Sequence, residues 1–398
     1  MLSPNDGLIR KGGGMNYFFK EFIFQLPVRR PFLKWITCGI ILASMGGPSL
    51  LKAQMPMLPT IKAEFRTDAE WKDNDDPEDL NLSRATLRFI IKRAHLNLEG
   101  QMDDQVGYRL RVRWNQSFAP QDDNTGMGLE YWYVKYQWLE SLQLRVGKQK
   151  ILQGGREGVH NPIDVFEYSS LGERIRDFYE VGVSAIYDLG LFAQMLQDQS
   201  IVGQVFNQRT GSSDNQFGMI YNLAWYGVFA GGIIEPVFQY GFFPHAQENE
   251  KEATSGKRIT TQESYSETFL SLGALINLES FWVEMDLINH HQASYTERMA
   301  ATTIKHHTAD NTSVVLSSGV EGEQFSPFSK WIYDLAIQNK SSGTIDDNRN
   351  EILFGTSYFP NSMNRHLRWH ALFAYKTIAG DTNQYSEYRV NGGLSARF

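Results

Sequence analysis

Alternation with a period of two is the feature that most constrains this chain. The stretch "YRLRVRW", Tyr108 to Trp114, places Arg109, Arg111 and Arg113 at every second position, with Tyr108, Leu110, Val112 and Trp114 between them. Successive side chains of a strand point to opposite faces, so this segment has one apolar, aromatic face and one face of guanidinium groups. Sixteen runs of this kind recur, at 61–69, 84–98, 105–116, 129–138, 141–150, 180–189, 191–198, 217–225, 228–239, 266–277, 281–290, 312–319, 330–340, 350–359, 366–376 and 386–398. No linker, heptad or solenoid repeat interrupts them, so residues 54–398 read as one domain.

The faces look like those of strands between lipid and water. Phe281, Val283, Met285 and Leu287 alternate with Trp282, Glu284, Asp286 and Ile288. Trp331, Tyr333, Leu335 and Ile337 alternate with Ile332, Asp334, Ala336 and Gln338, and Leu367, Trp369 and Phe373 with Arg368 and His370. Backbone polar groups have no partners in hydrocarbon, so a sheet with such an outer face must close on itself. The connections are sorted as well. Short ones, such as "EGQMDD" at 99–104 and "LES" at 278–280, alternate with long polar ones at 73–81, 117–128, 151–179, 199–216, 240–265, 291–311, 341–349 and 377–385. Short periplasmic turns and long extracellular loops are expected of an antiparallel outer-membrane β-barrel, here of about sixteen strands.

The ends fit that compartment. Basic Arg29, Arg30 and Lys34 precede an apolar run from Trp35 to Leu51, and Ala53 follows, which is the layout of a secretory signal peptide over residues 1–53, with Met15 the more natural start. A retained anchor is the alternative. The single cysteine, Cys38, lies inside this run, so the mature chain has none and its stability must come from a core or from lipid. Removing residues 1–53 takes away seven Lys/Arg and two Asp/Glu, leaving 31 basic against 43 acidic residues, a formal charge of −12, which disfavours nucleic acid as a partner. The final segment "YRVNGGLSARF" alternates to an aromatic carboxy-terminal residue, with Tyr388 and Phe398 on one face. It resembles the terminal strand that outer-membrane proteins present to the barrel assembly machinery.

Residues 84–190 resemble the phosphate-selective porin O and P family, through "RFIIKRAHLNLEGQMDDQVGYRLRVRW" and "LQLRVGKQKILQGGREG". The resemblance implies a sixteen-stranded, trimeric outer-membrane channel of which some members pass anions or phosphate. Passive transport down a gradient would need no cofactor, and the expected partners of such a barrel include outer-membrane lipid and lipopolysaccharide.

Within such a barrel, Arg109, Arg111 and Arg113, together with Arg145, Lys148 and Lys150, form a basic stripe facing the pore. Stripes of this kind concentrate anions in a low-dielectric channel. Glu284 and Asp286 would supply an acidic wall opposite; the alternative is that these arginines are neutralised by neighbouring acids. The connection 151–179 is the candidate constriction loop, with Arg156, Asp164, Arg174 and Arg176 among its charges and Asn161-Pro162 marking a turn. The other reading is a solvated external loop. Enzyme signatures are lacking: there is no Gly-x-Ser-x-Gly, P-loop or Cys/His zinc spacing. His366 and His370 would lie about 13 Å apart on a strand, too far to share an ion. His290-His291 and His306-His307 border or occupy long loops and read as solvated. "DNDDPED" lacks the glycine and glutamate of a calcium loop and reads as an exposed acidic loop that divalent cations could bridge to lipopolysaccharide. The function expected is passive diffusion of small hydrophilic solutes, anions such as phosphate among them. The rival readings are a plugged barrel acting as enzyme, receptor or adhesion protein, and a soluble sandwich.

Overall fold

The computed structural model describes residues 58–74, 85–116, 128–190, 198–207, 219–252, 258–298, 303–340, 343–362, 365–380 and 384–398. The strands are β1 (Thr60–Asn74), β2 (Ala85–Gln101), β3 (Val106–Arg113), β4 (Leu129–Leu139), β5 (Leu142–Lys150), β6 (Tyr179–Asp188), β7 (Ser200–Asn207) and β8 (Met219–Tyr226). They continue as β9 (Ile234–Glu252), β10 (Arg258–Leu278), β11 (Phe281–Arg298), β12 (Thr303–Val320), β13 (Phe325–Lys340), β14 (Gly343–Tyr358), β15 (Leu367–Gly380) and β16 (Gln384–Arg397). Each pairs antiparallel with its sequence neighbours and β16 returns to β1, so the sheet is a closed barrel with no free edge. At the seam the Ala63 and Phe398 backbones exchange two hydrogen bonds of 2.9 Å.

Period-two patterning decides which face each residue takes. On β1, Arg66, Asp68 and Glu70 are buried, pointing inward, while Trp71 is exposed. On β11, Met285 and Leu287 are exposed outward and Glu284, Asp286 and Ile288 are buried. Phe89, Trp132, Leu223, Leu272, Phe354 and Trp369 continue the outward apolar band around the wall. An apolar surface this extensive is a lipid-facing surface.

Several stretches expected as loops are strand. The polar segments within 240–265, 291–311, 341–349 and 377–385 continue the β9–β16 ladders, out to Glu252 opposite Arg258 and Arg298 opposite Thr303. A ladder needs only backbone donors and acceptors, so strands persist beyond the apolar band where the side-chain pattern has gone polar. His290 is therefore not a loop residue: its side chain is fully buried inside the barrel, against the Phe269 ring at 4.2 Å and within 2.9 Å of Glu267. The seventh run is also displaced. Most of 191–198 lies outside the described residues, Asp198 is a turn residue with φ of 61°, and β7 occupies Ser200–Asn207, inside a stretch read as a long loop. "SIVGQVFN" carries the β-branched residues that suit a strand. The signal segment 1–53 and most of "DNDDPED" lie outside the described residues.

The interior is not empty. Residues 151–178, joining β5 to β6, fold into the barrel as two short helices, α1 (Gly155–Val159) and α2 (Ser170–Ile175), linked by a turn. Pro162 occupies that turn's second position, and its closing bond runs from the Asp164 amide to the Asn161 carbonyl at 2.8 Å. Two apolar clusters seat the segment. Ile151, Ile175 and Phe178 pack on Phe206, Ile220, Phe243 and Phe269, and Phe166 packs beside Phe328 on Val315, Ile332, Leu353 and Leu372.

Candidate functional site

The inward segment and the wall around it form the site. Ions and backbone groups tie the segment to nearly the whole circumference. Asp286 on β11 accepts the amides of Arg156 at 2.6 Å and Glu157 at 2.9 Å, capping the start of α1. Gly155 has φ of +61°, and a Cβ there would lie 2.2 Å from Asp286 Oδ1, so the close approach requires glycine. His160 lies 2.6 Å from Glu284, and Asn161 donates to Glu64 at 2.7 Å. Asp164 pairs with Arg368 at 2.9 Å and with Arg397, and Arg66 donates to the Val165 carbonyl at 2.8 Å. Lys330 reaches Glu157 at 2.5 Å, and Glu167 is held by Arg389 at 2.9 Å and Arg349 at 3.2 Å. Asp177 closes the far end on Arg93 at 2.9 Å and Arg113 at 3.0 Å.

The titration of the segment's own carboxyls reflects this grip. Burial would raise Asp177, but the Arg93 and Arg113 guanidiniums outweigh it and hold the group below the usual carboxylate range. Glu167 behaves likewise, with Arg389 and Arg349 overcoming its burial. Glu173 goes the other way: burial raises it and its Arg176 partner compensates only in part. Burial also pushes the Tyr168 phenol up.

The candidate residues separate into two groups. Arg111 and Arg113 face inward but are neutralised: Arg111 meets Glu64 at 3.0 Å and Glu130 at 3.3 Å, and Arg113 is engaged by Asp177. Arg109 has no carboxylate within ion-pair distance among the described residues, and its guanidinium lies 5.4 Å from the Tyr131 ring centroid. Arg145 similarly lies over Tyr133 at 5.4 Å and donates to Gln143 at 2.9 Å. Lys150 donates to the Gly158 carbonyl at 2.6 Å, and Lys148 is almost fully buried. Glu284 and Asp286 do not form an open acidic wall, since both are consumed by α1 and His160: folding the segment inward puts its donors where a solute would have been. Arg156 pairs with Glu235 at 3.0 Å, Arg174 with Glu267 at 3.2 Å, and Arg176 with Glu173 at 2.5 Å while lying over Tyr168.

Between Gly158–Pro162 and the wall of β1–β8 lies a cavity of about 660 Å³. Five cations line it, Lys62, Arg109, Arg111, Arg145 and Lys150, against two carboxylates, Glu64 and Glu99, a formal balance of +3. Tyr131 and Tyr133 supply the rings under its arginines. Lys62 and Glu64 were not singled out from sequence, although "KAEFRTDAE" on β1 alternates clearly enough to place them inside. The β3–β4 register slips between Arg111 and Val112, so Glu130 is passed over in the pairing and is buried beside Tyr131 rather than turned out to lipid. Among the described residues no three His, Cys, Asp or Glu side chains are placed to hold a metal ion.

Comparison with known proteins agrees with this architecture. No curated protein sequence matches the chain. Among solved structures, the outer membrane channel DcaP of Acinetobacter baumannii superposes with a TM-score of 0.55 at 12% identity, covering 85% of this chain and 97% of that one. An anion-selective porin from Comamonas acidovorans gives 0.50 at 13% identity, covering 85% and 99%. The trimer form of in-vitro folded OmpT, an outer membrane protein of Vibrio cholerae, gives 0.52 at 11%, covering 86% and 100%. At these identities the likeness is one of fold. The sequence profile described as phosphate-selective porin O and P matches residues 61–349. The chain therefore belongs to the phosphate-selective porin O and P family and is a diffusion channel of the bacterial outer membrane, a channel rather than an enzyme.

Proposed function

We propose that this porin favours small hydrophilic anions, phosphate among them, and that Arg109 and Arg145, aided by Lys62 and Lys150, carry the preference. The observation behind this reading is the balance of +3 in the basic compartment of a chain whose formal charge is −7. Cations in a narrow passage with low-dielectric walls focus the field on a passing ion regardless of the charge elsewhere. Stacking on tyrosine holds the two arginines in place while leaving their charge uncancelled by a carboxylate, as cation–π contact does. Arg111 and Arg113 instead pair with acids and hold the wall and the inward segment together. Arg156, Asp164, Arg174 and Arg176 belong to that segment, which narrows the lumen.

The surrounding biology follows the same reading. Residues 1–53 act as a cleaved signal, Tyr388 and Phe398 on the terminal strand are read by the barrel assembly machinery, and the mature barrel works as a homotrimer among outer-membrane lipid and lipopolysaccharide. Uptake into liposomes tests the selectivity: an anionic sugar such as glucuronate should enter faster than cationic glucosamine of similar size. Equal rates, or faster entry of glucosamine, would remove the anion preference and leave an unselective porin.

A further inference from the structure

The lumen contains a second cavity, of about 480 Å³, against β10–β16. It shares only His160 with the basic compartment, so Gly158–Asn161 divides the two. Its chemistry is different. Four cations, Lys330, Arg365, Arg368 and Arg397, face four carboxylates, Asp164, Glu167, Glu284 and Glu321, so it offers an ion no net attraction. Aromatic rings accompany these balanced charges, with Arg365 over Phe359 at 4.6 Å and Arg368 over Phe166 at 5.2 Å. Trp282, Phe359 and the Phe166–Phe328 pair line it, the pair stacked at 4.9 Å between centroids and 8° between planes. The lumen of a passive porin is expected to be polar, and small hydrophilic anions gain nothing from the faces of such rings. A flat π-system entering this space would gain both apolar burial and ring–ring contact.

We propose that this compartment binds small planar aromatic solutes of no net charge, alongside the anion route; the proposal rests on reading the lumen as a solute path. Charge balance selects against ions, and the flat rings select for a planar body.

Benzamide is the probe. Its binding to the refolded full chain in detergent is measured by saturation-transfer NMR, a readout that does not require conduction, for the wild type, Phe328→Leu and Trp282→Leu. Leucine keeps apolar bulk and removes the ring, so each variant should raise the half-saturating concentration at least about threefold. Heat-modifiable mobility on gels shows that each barrel has folded, and the second variant serves if the first does not fold. Excess inorganic phosphate should leave the benzamide signal unchanged. Equal affinity in a folded variant, displacement by phosphate, or no binding to the folded wild type would overturn the proposal. Bilayer conductance is recorded on the same preparation. A barrel that conducts without binding benzamide refutes the aromatic site, whereas one that binds benzamide without conducting refutes the diffusion path.

Discussion

Replacing Asp286 by alanine should release α1 from the wall without opening the barrel. Asp286 is 3% exposed and accepts two backbone amides, at 2.6 and 2.9 Å. Leaving a buried amide without its acceptor costs about 1–3 kcal/mol each. Removing the buried carboxylate also removes its own desolvation cost, and lumen water can reach the freed amides, so we set the net loss at about 2–4 kcal/mol. At tenfold per 1.4 kcal/mol this raises the released population of α1 by about 30- to 700-fold. Release should be local, because Glu167 and Asp177 remain tied to Arg349, Arg389, Arg93 and Arg113. Hydrogen exchange read by mass spectrometry should show faster exchange in peptides covering 151–160, with peptides from β9 to β16 unchanged. Wild-type exchange at the Arg156 and Glu157 amides in a folded variant would refute the assignment of Asp286 as the anchor of this turn.

Gly155→Ala should disturb the same anchor from the other side, because it forces a side chain into positive φ and onto Asp286 at a cost of about 1–3 kcal/mol; the same exchange measurement checks it. Ile175→Ala opens a cavity where the segment meets β7–β10, and about 2–5 kcal/mol of lost packing should make residues 151–178 cleavable by limited proteolysis while the strands stay resistant. The pH response follows from the carboxyl shifts. Asp177 and Glu167 have folded values below their unfolded ones, so their contribution is complete above about pH 4.5 and is lost only as pH falls through the lowered folded values. Glu173, shifted up, protonates first and so favours the held state. Single-channel conductance should therefore be flat between about pH 7 and 5, with release of the segment confined to stronger acid; a transition within that window would contradict the pairing.

The barrel was legible because closure, alternation and lipid-facing side chains are all written locally along each strand. Strand lengths were harder: between residues 240 and 311 the ladder continues through polar residues that have no outward face to reveal it. The arginine alternation at 109–113 puts three side chains on one face of the strand, yet it could not distinguish them, because the deciding partners are distant in sequence. Glu64 is 47 residues from Arg111, and Asp177 is 64 from Arg113. The same distance hid the fate of Asp286, whose amide partners lie about 130 residues earlier. The aromatic compartment was invisible for a related reason, since Phe166 and Phe328 meet only once the segment has entered the barrel.

The most direct test of the account is the reversal potential under a KCl gradient of the wild type and of the Arg109→Glu/Arg145→Glu double variant. The two substitutions take the basic compartment from +3 to −1 while leaving every described ion pair of the inward segment intact. The wild type should reverse toward the chloride potential and the double variant toward the potassium potential. Identical reversal potentials in two folded, conducting channels would contradict the claim that the tyrosine-stacked arginines set the selectivity.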